Sequence, residues 1–310
     1  MKHEFWWSRA GTAKRIAACL LTVLALAGMV FCYTPAGRDF WSAAFRTTGF
    51  AGRIPSDSLL TVHFLDVGKA DAILLECGGH YALLDAGTYD RREDVCIYLK
   101  KQGVERLDYL IASHPDKDHI GGMAQVLEEY PVAKMIQAPL REELLPDTEE
   151  YRLLTEQLEK KRVPVSTIPA GKQVSLGGAV LKVIGPVREY EDTNNSSLVL
   201  RLEYQGFSVL LCGDIEKEAE QDLLQSGADL SADVLKVPHH GSDSSSAKKF
   251  LNAVSPAYAV ISSGPDKNKL PKSEVLRRME KAGAEIYRTD TDGTVVAAYD
   301  GKQVTVITEK

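Results

Sequence analysis

The segment at residues 114–119 holds four potential metal ligands: His114, Asp116, Asp118 and His119. An apolar stretch at residues 107–113 precedes it and is predicted to be a strand, and Gly121-Gly122 lead from it into a predicted helix. Histidine nitrogen and aspartate oxygen are good ligands for zinc and manganese. Strand ends are also where α/β folds place their sites. The segment therefore predicts a metal site, and the alternative is a polar loop with a helix cap.

Two further apolar stretches end in residues of the same kinds. Residues 234–237 lead into His239-His240-Gly241-Ser242, and residues 210–211 lead into Cys212-Gly213-Asp214. Adjacent histidines do not easily bind one ion in the same way, so we expect one to be a ligand. The other is expected to contact substrate or to act as a general acid. A carboxylate at position 214 can bridge two ions, and the alternative is an aspartate in a turn or helix cap.

The elements that must position these residues follow an α/β pattern. Hairpins come first, and strands then alternate with helices, which indicates sheets covered by helices. Turns are predicted at Gly78-Gly79, Gln205-Gly206 and Asp300-Gly301. Helix starts are predicted at Asp147, in a capping box with Glu150, and at Ser273 as a cap. Asp85 ends an early strand and is expected to orient a ligand or line the site. Predicted strands cover residues 59–67, 72–77, 80–85, 107–113, 180–184, 198–204, 207–212, 234–237, 258–262, 285–288, 293–299 and 304–308, and predicted helices cover 92–102, the residues after 122 up to about 130, 147–162, 216–224, 247–253 and 273–282.

The N-terminal residues have a different composition. Basic residues at positions 2, 9, 14 and 15 precede residues 16–33, an apolar run without a charged residue. This pattern favours an uncleaved signal anchor, and a cleaved secretory signal or a buried helix are the alternatives. Residues 1–15 would then be a basic cytoplasmic region and residues 34–57 a linker. A single-pass protein of the cell membrane is expected, with residues 58–310 outside the cytoplasm, or secreted if the anchor is cleaved.

Composition limits the function classes. The 310 residues are 44% hydrophobic and carry a formal net charge of -6. This argues against a protein that holds nucleic acid mainly by a basic surface, but not against a nuclease whose bound metal offsets its carboxylates. Cys77, Cys96 and Cys212 have no metal-ligand spacing, and buried free thiols are expected. The sequence indicates no particular protein partner.

Together these motifs resemble the metallo-β-lactamase superfamily, and specifically the extracytoplasmic hydrolase domain of ComEC-type competence (DNA-uptake) proteins. The resemblance covers residues 58–310. It implies a four-layer αββα sandwich with a two-metal site for zinc or manganese. The stretches that carry it are residues 64–72, 113–122, 195–200 with Gly213-Asp214, 236–242, and 287–290 with Asp292-Gly293.

The resemblance also implies roles for individual residues. His114, Asp116 and a water would hold one ion, whereas Asp118, His119 and His240 would hold the other. Asp214 would bridge them, and Asp118, Asp214 and His239 would take part in catalysis, with His239 protonating the leaving oxygen. Substrate contacts are expected from Lys69, Lys236, Ser242 and Asn195.

Several positions depart from the family's pattern. Asp116 stands at the second histidine of the commonest motif, which shifts the metal preference toward manganese or a mixed site. Asn194 or Asn195 stands where many relatives have another histidine ligand. Lys69-Ala70 replaces the usual Gln-Gly of the first motif, and Leu270-Pro271 stands where relatives often have His-Pro.

The function that this resemblance implies is a membrane-anchored, metal-dependent phosphodiesterase or nuclease, possibly on DNA. A phosphodiester of the cell envelope is an alternative substrate. A non-catalytic metal-binding or assembly module of the same fold is the alternative from another class, and the missing histidine near Asn195 gives this alternative some weight.

Overall fold

The structure is a computed structural model that describes Thr22 and residues 54–310. The expected basic region at residues 1–15, the anchor at 16–33 (Thr22 apart) and most of the linker therefore lie outside the described residues. Within the described part of the chain, no helix is both long enough and apolar enough to cross a bilayer.

Two β-sheets lie at the centre of residues 54–310. The first contains β1 (Leu60–Phe64), β2 (Ala72–Cys77), β3 (His80–Ala86), β4 (Tyr109–Ala112), β5 (Met135–Gln137), β6 (Val165–Thr167), β14 (Val295–Tyr299) and β15 (Val304–Thr308). The second contains β7 (Gln173–Leu176), β8 (Ala179–Gly185), β9 (Val199–Tyr204), β10 (Phe207–Leu211), β11 (Val234–Lys236), β12 (Tyr258–Ile261) and β13 (Glu285–Arg288). Their spatial orders are β15-β14-β1-β2-β3-β4-β5-β6 and β13-β12-β11-β10-β9-β8-β7.

Helices connect the strands and cover the sheets. They are α1 (Arg92–Lys101), α2 (Lys117–Ile120), α3 (Met123–Glu129), α4 (Glu149–Lys161), α5 (Lys217–Ser226), α6 (Lys248–Val254), α7 (Ser273–Ala282) and α8 (Thr289–Asp292). Short 3₁₀ turns lie at Tyr89–Arg91, Glu142–Leu144 and Pro238–Gly241.

Three apolar clusters show how the layers are stacked. One joins the facing sides of the two sheets and contains Phe64 and Val209. A second joins the first sheet to α1, α3 and α4, and a third joins the second sheet to α5, α6 and α7. In β2, Ile73 belongs to the cluster between the sheets and Leu74 to the helix-covered one, because successive strand residues face opposite sides. Both faces are buried, and the predicted αββα sandwich is confirmed.

Local sequence signals predict the hairpins well and the short elements poorly. β2 and β3 pair across Gly78-Gly79, and β14 and β15 pair across Asp300-Gly301, as predicted. The strands β5, β6 and β7 were not predicted, since each has only three or four residues.

Two predicted helix starts are wrong by one residue. Thr148, not Asp147, caps α4, because its hydroxyl accepts a hydrogen bond from the Tyr151 backbone N–H. Ser273 is the first residue of α7, and Lys272 occupies the extended cap position before it.

Candidate metal centre

The predicted metal-binding segments meet at one edge of the sandwich. The strands β3 and β4 are parallel, as are β10, β11 and β12, so their carboxyl ends lie at common edges. Asp85 is at the end of β3, and His114 follows β4. Asp214 and His240 follow β10 and β11. Both sheets therefore contribute to one centre.

The inner half of the centre consists of His114 and His119, next to Asp214. The ligand atoms of these three residues lie within 4.8 Å of one another. The two imidazole rings are 4.0 Å apart between centroids, and His119 Nε2 is 3.5 Å from Asp214 Oδ2. Both histidines are buried, so water is largely excluded from this half.

A buried carboxylate fixes the orientation of His119. Asp85 Oδ2 lies 2.8 Å from His119 Nδ1, and this contact leaves Nε2 directed at Asp214. The backbone N–H and the hydroxyl of Ser113 donate to the same carboxylate at 2.8 and 2.6 Å. This arrangement is typical of metal-binding histidines, whose second nitrogen is usually held by a carboxylate or carbonyl. Asp85 thus lies where an orienting residue was expected.

The outer half of the centre consists of Asp118 and His240, again next to Asp214. His240 Nε2 is 3.6 Å from Asp118 Oδ2 and 3.5 Å from Asp214 Oδ2. Its Nδ1 donates to the Ser262 carbonyl at 3.0 Å. A neutral His240 therefore presents the lone pair of Nε2 to the two carboxylates.

The donor atoms fit a metal ion. The Nε2 atoms of His114, His119 and His240 and Oδ1 of Asp214 are buried and have no hydrogen-bond partner among the described residues. A buried polar atom without a partner costs about 1–3 kcal/mol, and four of them converge here. A divalent cation satisfies imidazole lone pairs and carboxylate oxygens together, and nitrogen with oxygen donors suits zinc and manganese.

The charge states of four of these five groups suit a cation, and His119 is the exception. Burial lowers the pKa values of His114 and His240, which keeps both neutral. Burial raises the pKa of Asp214, but His240 and His119 outweigh it and hold that pKa well below its usual value. The pKa of Asp118 is lowered to about 2, because His119, His240 and Lys69 outweigh its burial. Burial lowers the pKa of His119, but Asp214 and Asp85 outweigh it and raise that pKa well above its usual value.

Asp116 lies at the rim of the inner half. Its Oδ2 is 3.8 Å from His114 Nε2, and 43% of its side chain is exposed. His119 was expected among the outer ligands, whereas the structure places it within reach of both halves. The inner set of histidines is therefore completed by Asp214, and Asp116 is at its solvent side.

His239 lies at the mouth of the centre. Its Nε2 is 4.0 Å from Asp214 Oδ2, and its Nδ1 is 3.1 Å from Glu216 Oε1. Both His239 and His240 have left-handed backbone conformations, with φ of 49° and 51°. His240 is fully buried by this turn, whereas 21% of the His239 side chain stays exposed. Glu216 was not anticipated from the sequence, because nothing in its local pattern distinguishes it from a helix-start carboxylate.

The four expected substrate contacts lie in different surroundings. Lys69 Nζ is 2.6 Å from Asp118 Oδ2, at the mouth. Ser242 is partly buried near His239, where its hydroxyl bonds that of Ser244 at 2.9 Å.

The expectations for Lys236 and Asn195 need correction. Lys236 is fully buried, and its ammonium pairs with the equally buried Asp71 at 2.8 Å, so it cannot reach a substrate. Asn195 is also buried, and its side-chain carbonyl accepts from the Glu216 and Ala219 backbone N–H groups at the start of α5. Both residues therefore stabilise the structure around the centre and do not face the substrate.

An αββα sandwich with a histidine–aspartate cluster at the strand ends is the metallo-hydrolase fold with a candidate metal site. Residues 65–264 match the family model of the metallo-beta-lactamase superfamily. This match covers more than half of the chain, which therefore belongs to that superfamily.

Two curated relatives point to one branch of it. The chain is 28% identical over 261 residues to ComE operon protein 3 of Bacillus subtilis (strain 168), which covers 78% of this chain and 33% of that protein. It is 31% identical over 284 residues to Competence protein ComA of Neisseria gonorrhoeae, which covers 89% of this chain and 38% of that protein. The chain thus spans about a third of the length of these competence proteins, and its resemblance to the ComEC type is confirmed.

A solved structure supports the fold alone. The diiron beta-hydroxylase CmlA from Streptomyces venezuelae superposes with a TM-score of 0.51 at 13% identity, over 86% of this chain and 60% of that one.

Proposed function

We propose that this chain is a metal-dependent phosphodiesterase of the ComEC-type branch that acts outside the cytoplasm, with DNA as the first candidate substrate. The observation that carries the proposal is the convergence on Asp214 of buried imidazole nitrogens that have no hydrogen-bond partner among the described residues, beside the partly exposed His239. A non-catalytic module would need the metal donors but not a polar group aimed at the mouth.

The metal would be held by two overlapping donor sets. His114, His119 and Asp214 form the inner set, and Asp118 and His240 extend it at the outer side. A divalent ion bound there supplies hydroxide at neutral pH and a positive charge against the phosphate oxygens. Asp85 holds His119 in the tautomer that presents Nε2 to the ion.

His239 is suited to protonate the leaving oxygen. Its Nε2 faces the centre, whereas its Nδ1 faces the Glu216 carboxylate. The Ser244 hydroxyl lies 3.3 Å from the same Nδ1, and these two contacts orient the ring. Asn195 in turn fixes the backbone of Glu216. A positioned general acid contributes roughly 10²–10⁴-fold to a rate.

The surroundings of the mouth favour a polyanionic substrate. The loop at residues 264–272 lies against the turn that carries Lys69. The contact is so close that a Cβ on Gly264 would be 2.7 Å from the Lys69 backbone nitrogen. Lys267 and Lys269 on this loop are exposed, and lysines on one side of a metal centre attract phosphates. The similarity to competence proteins favours DNA over a cell-envelope phosphodiester.

The location outside the cytoplasm is part of the proposal. The apolar run at residues 16–33, with basic residues before it, supports a single membrane anchor. Fractionation of cells that express the chain tests it, since an anchored chain stays with membranes after a carbonate wash. A chain found only in the cytosol would contradict the proposed location.

Turnover by the purified chain tests the activity. We expect hydrolysis of bis-p-nitrophenyl phosphate and of linear DNA with Mn²⁺ or Zn²⁺, and RNA serves as a comparison. Replacing both Asp118 and His119 with alanine should abolish turnover and lower the metal content. The matched control is His80→Ala with Asp94→Ala, because about half of each side chain is exposed, away from the centre.

The outcomes separate the alternatives. Bound metal without turnover on any phosphodiester would indicate a binding module. Turnover of small phosphodiesters but not of DNA would favour an envelope substrate. Turnover retained by the Asp118/His119 double variant would overturn the proposal.

A further inference from the structure

Lys69 occupies the outer half of the centre. Its Nζ lies 2.6 Å from Asp118 Oδ2. The same Asp118 oxygen is the one that lies 3.6 Å from His240 Nε2. A single carboxylate oxygen therefore faces both the ammonium and the imidazole between which an outer ion would have to bind.

Backbone contacts fix the turn that carries Lys69 next to Asp118. The Ala70 N–H donates to the Gly68 carbonyl at 2.9 Å, and the Asp71 N–H donates to the carbonyl of Asp118 itself at 3.0 Å. From the other side, Gly264 packs so closely that an added Cβ would lie 2.7 Å from Gly68 Cα. The turn that carries Lys69 is thus tied to Asp118.

The ion pair of Lys69 with Asp118 is largely shielded from solvent. About three quarters of both the Lys69 and the Asp118 side chains are buried, with 24% and 22% exposed. Little water screens the repulsion between this ammonium and a divalent ion at Asp118.

We propose that the Lys69 ammonium takes the place of a second metal ion, so that the centre holds one divalent ion, on His114, His119 and Asp214. This inference rests on the proposed function, because it concerns the same centre. Lys69 then neutralises Asp118 and supplies the positive charge that an outer ion would otherwise bring to a substrate phosphate. A centre with one ion replaces the two-ion site that the sequence resemblance implies.

Lys69 is the lysine suited to this task. Lys236 is also close, but it is fully buried and pairs with Asp71. Lys117 is on the metal-binding segment, but its ammonium lies 3.5 Å from Glu150 and 62% of its side chain is exposed. Lys117 therefore provides a matched control.

The experiment measures metal stoichiometry on the purified chain. Samples are loaded with excess Mn²⁺, desalted, and analysed for metal by mass spectrometry. We expect one ion per chain for the native protein, one for Lys69→Arg and one for Lys117→Gln. For Lys69→Gln, which restores the glutamine of the family's usual motif, we expect two.

Electron paramagnetic resonance gives a second readout that does not depend on activity. Isolated Mn²⁺ gives a six-line spectrum, whereas two neighbouring ions give an exchange-coupled signal. We expect the coupled signal in Lys69→Gln alone. The melting temperature of each variant shows whether it is folded.

The possible results separate this inference from the proposed function. Two ions in the native chain, or one ion in folded Lys69→Gln, would overturn the inference and leave the proposed function intact. Absence of bound metal from every variant would overturn both. If Lys69→Gln does not fold, the native chain and Lys69→Arg still decide the number of ions.

Discussion

In the inner half of the centre the histidines are buried and hydrogen bonds fix the orientation of His119. In the outer half the side chain of Asp118 is partly exposed to solvent and is held by an ion pair with Lys69. His119 is oriented by Asp85, which Ser113 holds through two hydrogen bonds. Asp118 faces the Lys69 ammonium, and His240 lies above the buried ion pair of Lys236 with Asp71, 3.8 Å from Asp71 Oδ1.

This difference indicates that the two halves have different roles, metal binding in the inner half and charge compensation in the outer half. The inner half contains no lysine or arginine, and the Nε2 atoms of His114 and His119 have no hydrogen-bond partner among the described residues, so a divalent ion binds there in exchange for at most the His119 proton. In the outer half, the Lys69 ammonium already compensates the negative charge of Asp118. The comparison predicts that substitutions in the inner half act on metal affinity and that substitutions around the outer half act on stability or turnover.

The largest effect is expected at Asp214, which both halves share. Asp214→Asn should lower kcat/KM by at least ~10³-fold, about 4 kcal/mol of transition-state stabilisation, and should reduce bound metal. Steady-state kinetics and metal analysis measure both. Asp229→Asn, at an exposed aspartate, is the control. Full metal occupancy in Asp214→Asn would show that the halves do not depend on a common carboxylate.

Removing Lys236 should destabilise the whole fold. Lys236→Met removes the ammonium that pairs with the buried Asp71 carboxylate, and breaking a buried ion pair typically costs about 3–5 kcal/mol. Urea unfolding measures this loss. Lys69→Gln, at a partly exposed pair, should cost less than about 1 kcal/mol. Equal losses in the two variants would remove the distinction between a supporting and a functional lysine.

A substitution at Asp85 tests the inner half alone. Asp85→Asn should weaken metal affinity roughly 10–100-fold, the usual effect of losing the partner of a ligating histidine. Competition with a chromophoric chelator measures it. The control is Asp108→Asn. Like Asp85, Asp108 accepts a hydrogen bond from a backbone N–H, in this case the N–H of Tyr81. Unchanged affinity would mean that Asp85 serves only the fold.

A substitution at Glu216 tests the mouth. Glu216→Gln should lower kcat about 10-fold and leave metal content unchanged, because the amide orients His239 less well than the carboxylate. His239→Ala should lower kcat about 10²-fold. Glu218→Gln, on the same helix and exposed, is the control. Loss of metal in Glu216→Gln would place that residue among the metal-binding groups instead.

The smallest effect is expected from the loop beside the mouth. Lys267→Gln with Lys269→Gln should raise KM for DNA a few-fold and reduce its salt dependence, without a change for bis-p-nitrophenyl phosphate. The matched control is Lys248→Gln with Lys249→Gln, at exposed lysines on α6. Equal changes on both substrates would exclude a specific contact with long polyanions.

Much of the centre could be predicted from the sequence, because its ligands follow strands with strong apolar patterns. His114, Asp118, His119, Asp214 and His240 each lie directly after or near such a strand, and the structure brings them together. The layers were predictable for the same reason. The short strands β5, β6 and β7 were not, since three or four residues carry too little pattern.

The supporting residues could not be predicted, because their partners are distant in the chain. Lys236 ends a strand in which all three residues are buried, and its partner Asp71 belongs to the other sheet's first loop. Without that partner, a lysine next to a histidine pair indicates substrate contact. The direction of the Asn195 side chain was equally hidden, because it depends on where α5 begins.

The centre also joins the two sheets of the sandwich. His114 follows β4 of the first sheet, His119 lies in the adjoining helix α2, and Asp214 follows β10 of the second sheet. An ion held by all three therefore acts as a cross-link between segments that are far apart in the chain. Such a cross-link can form only after the sheets have docked, and it then opposes their separation. Metal acquisition is therefore expected as a late event in folding, and a chelator should lower the melting temperature of the folded chain as well as stop its chemistry.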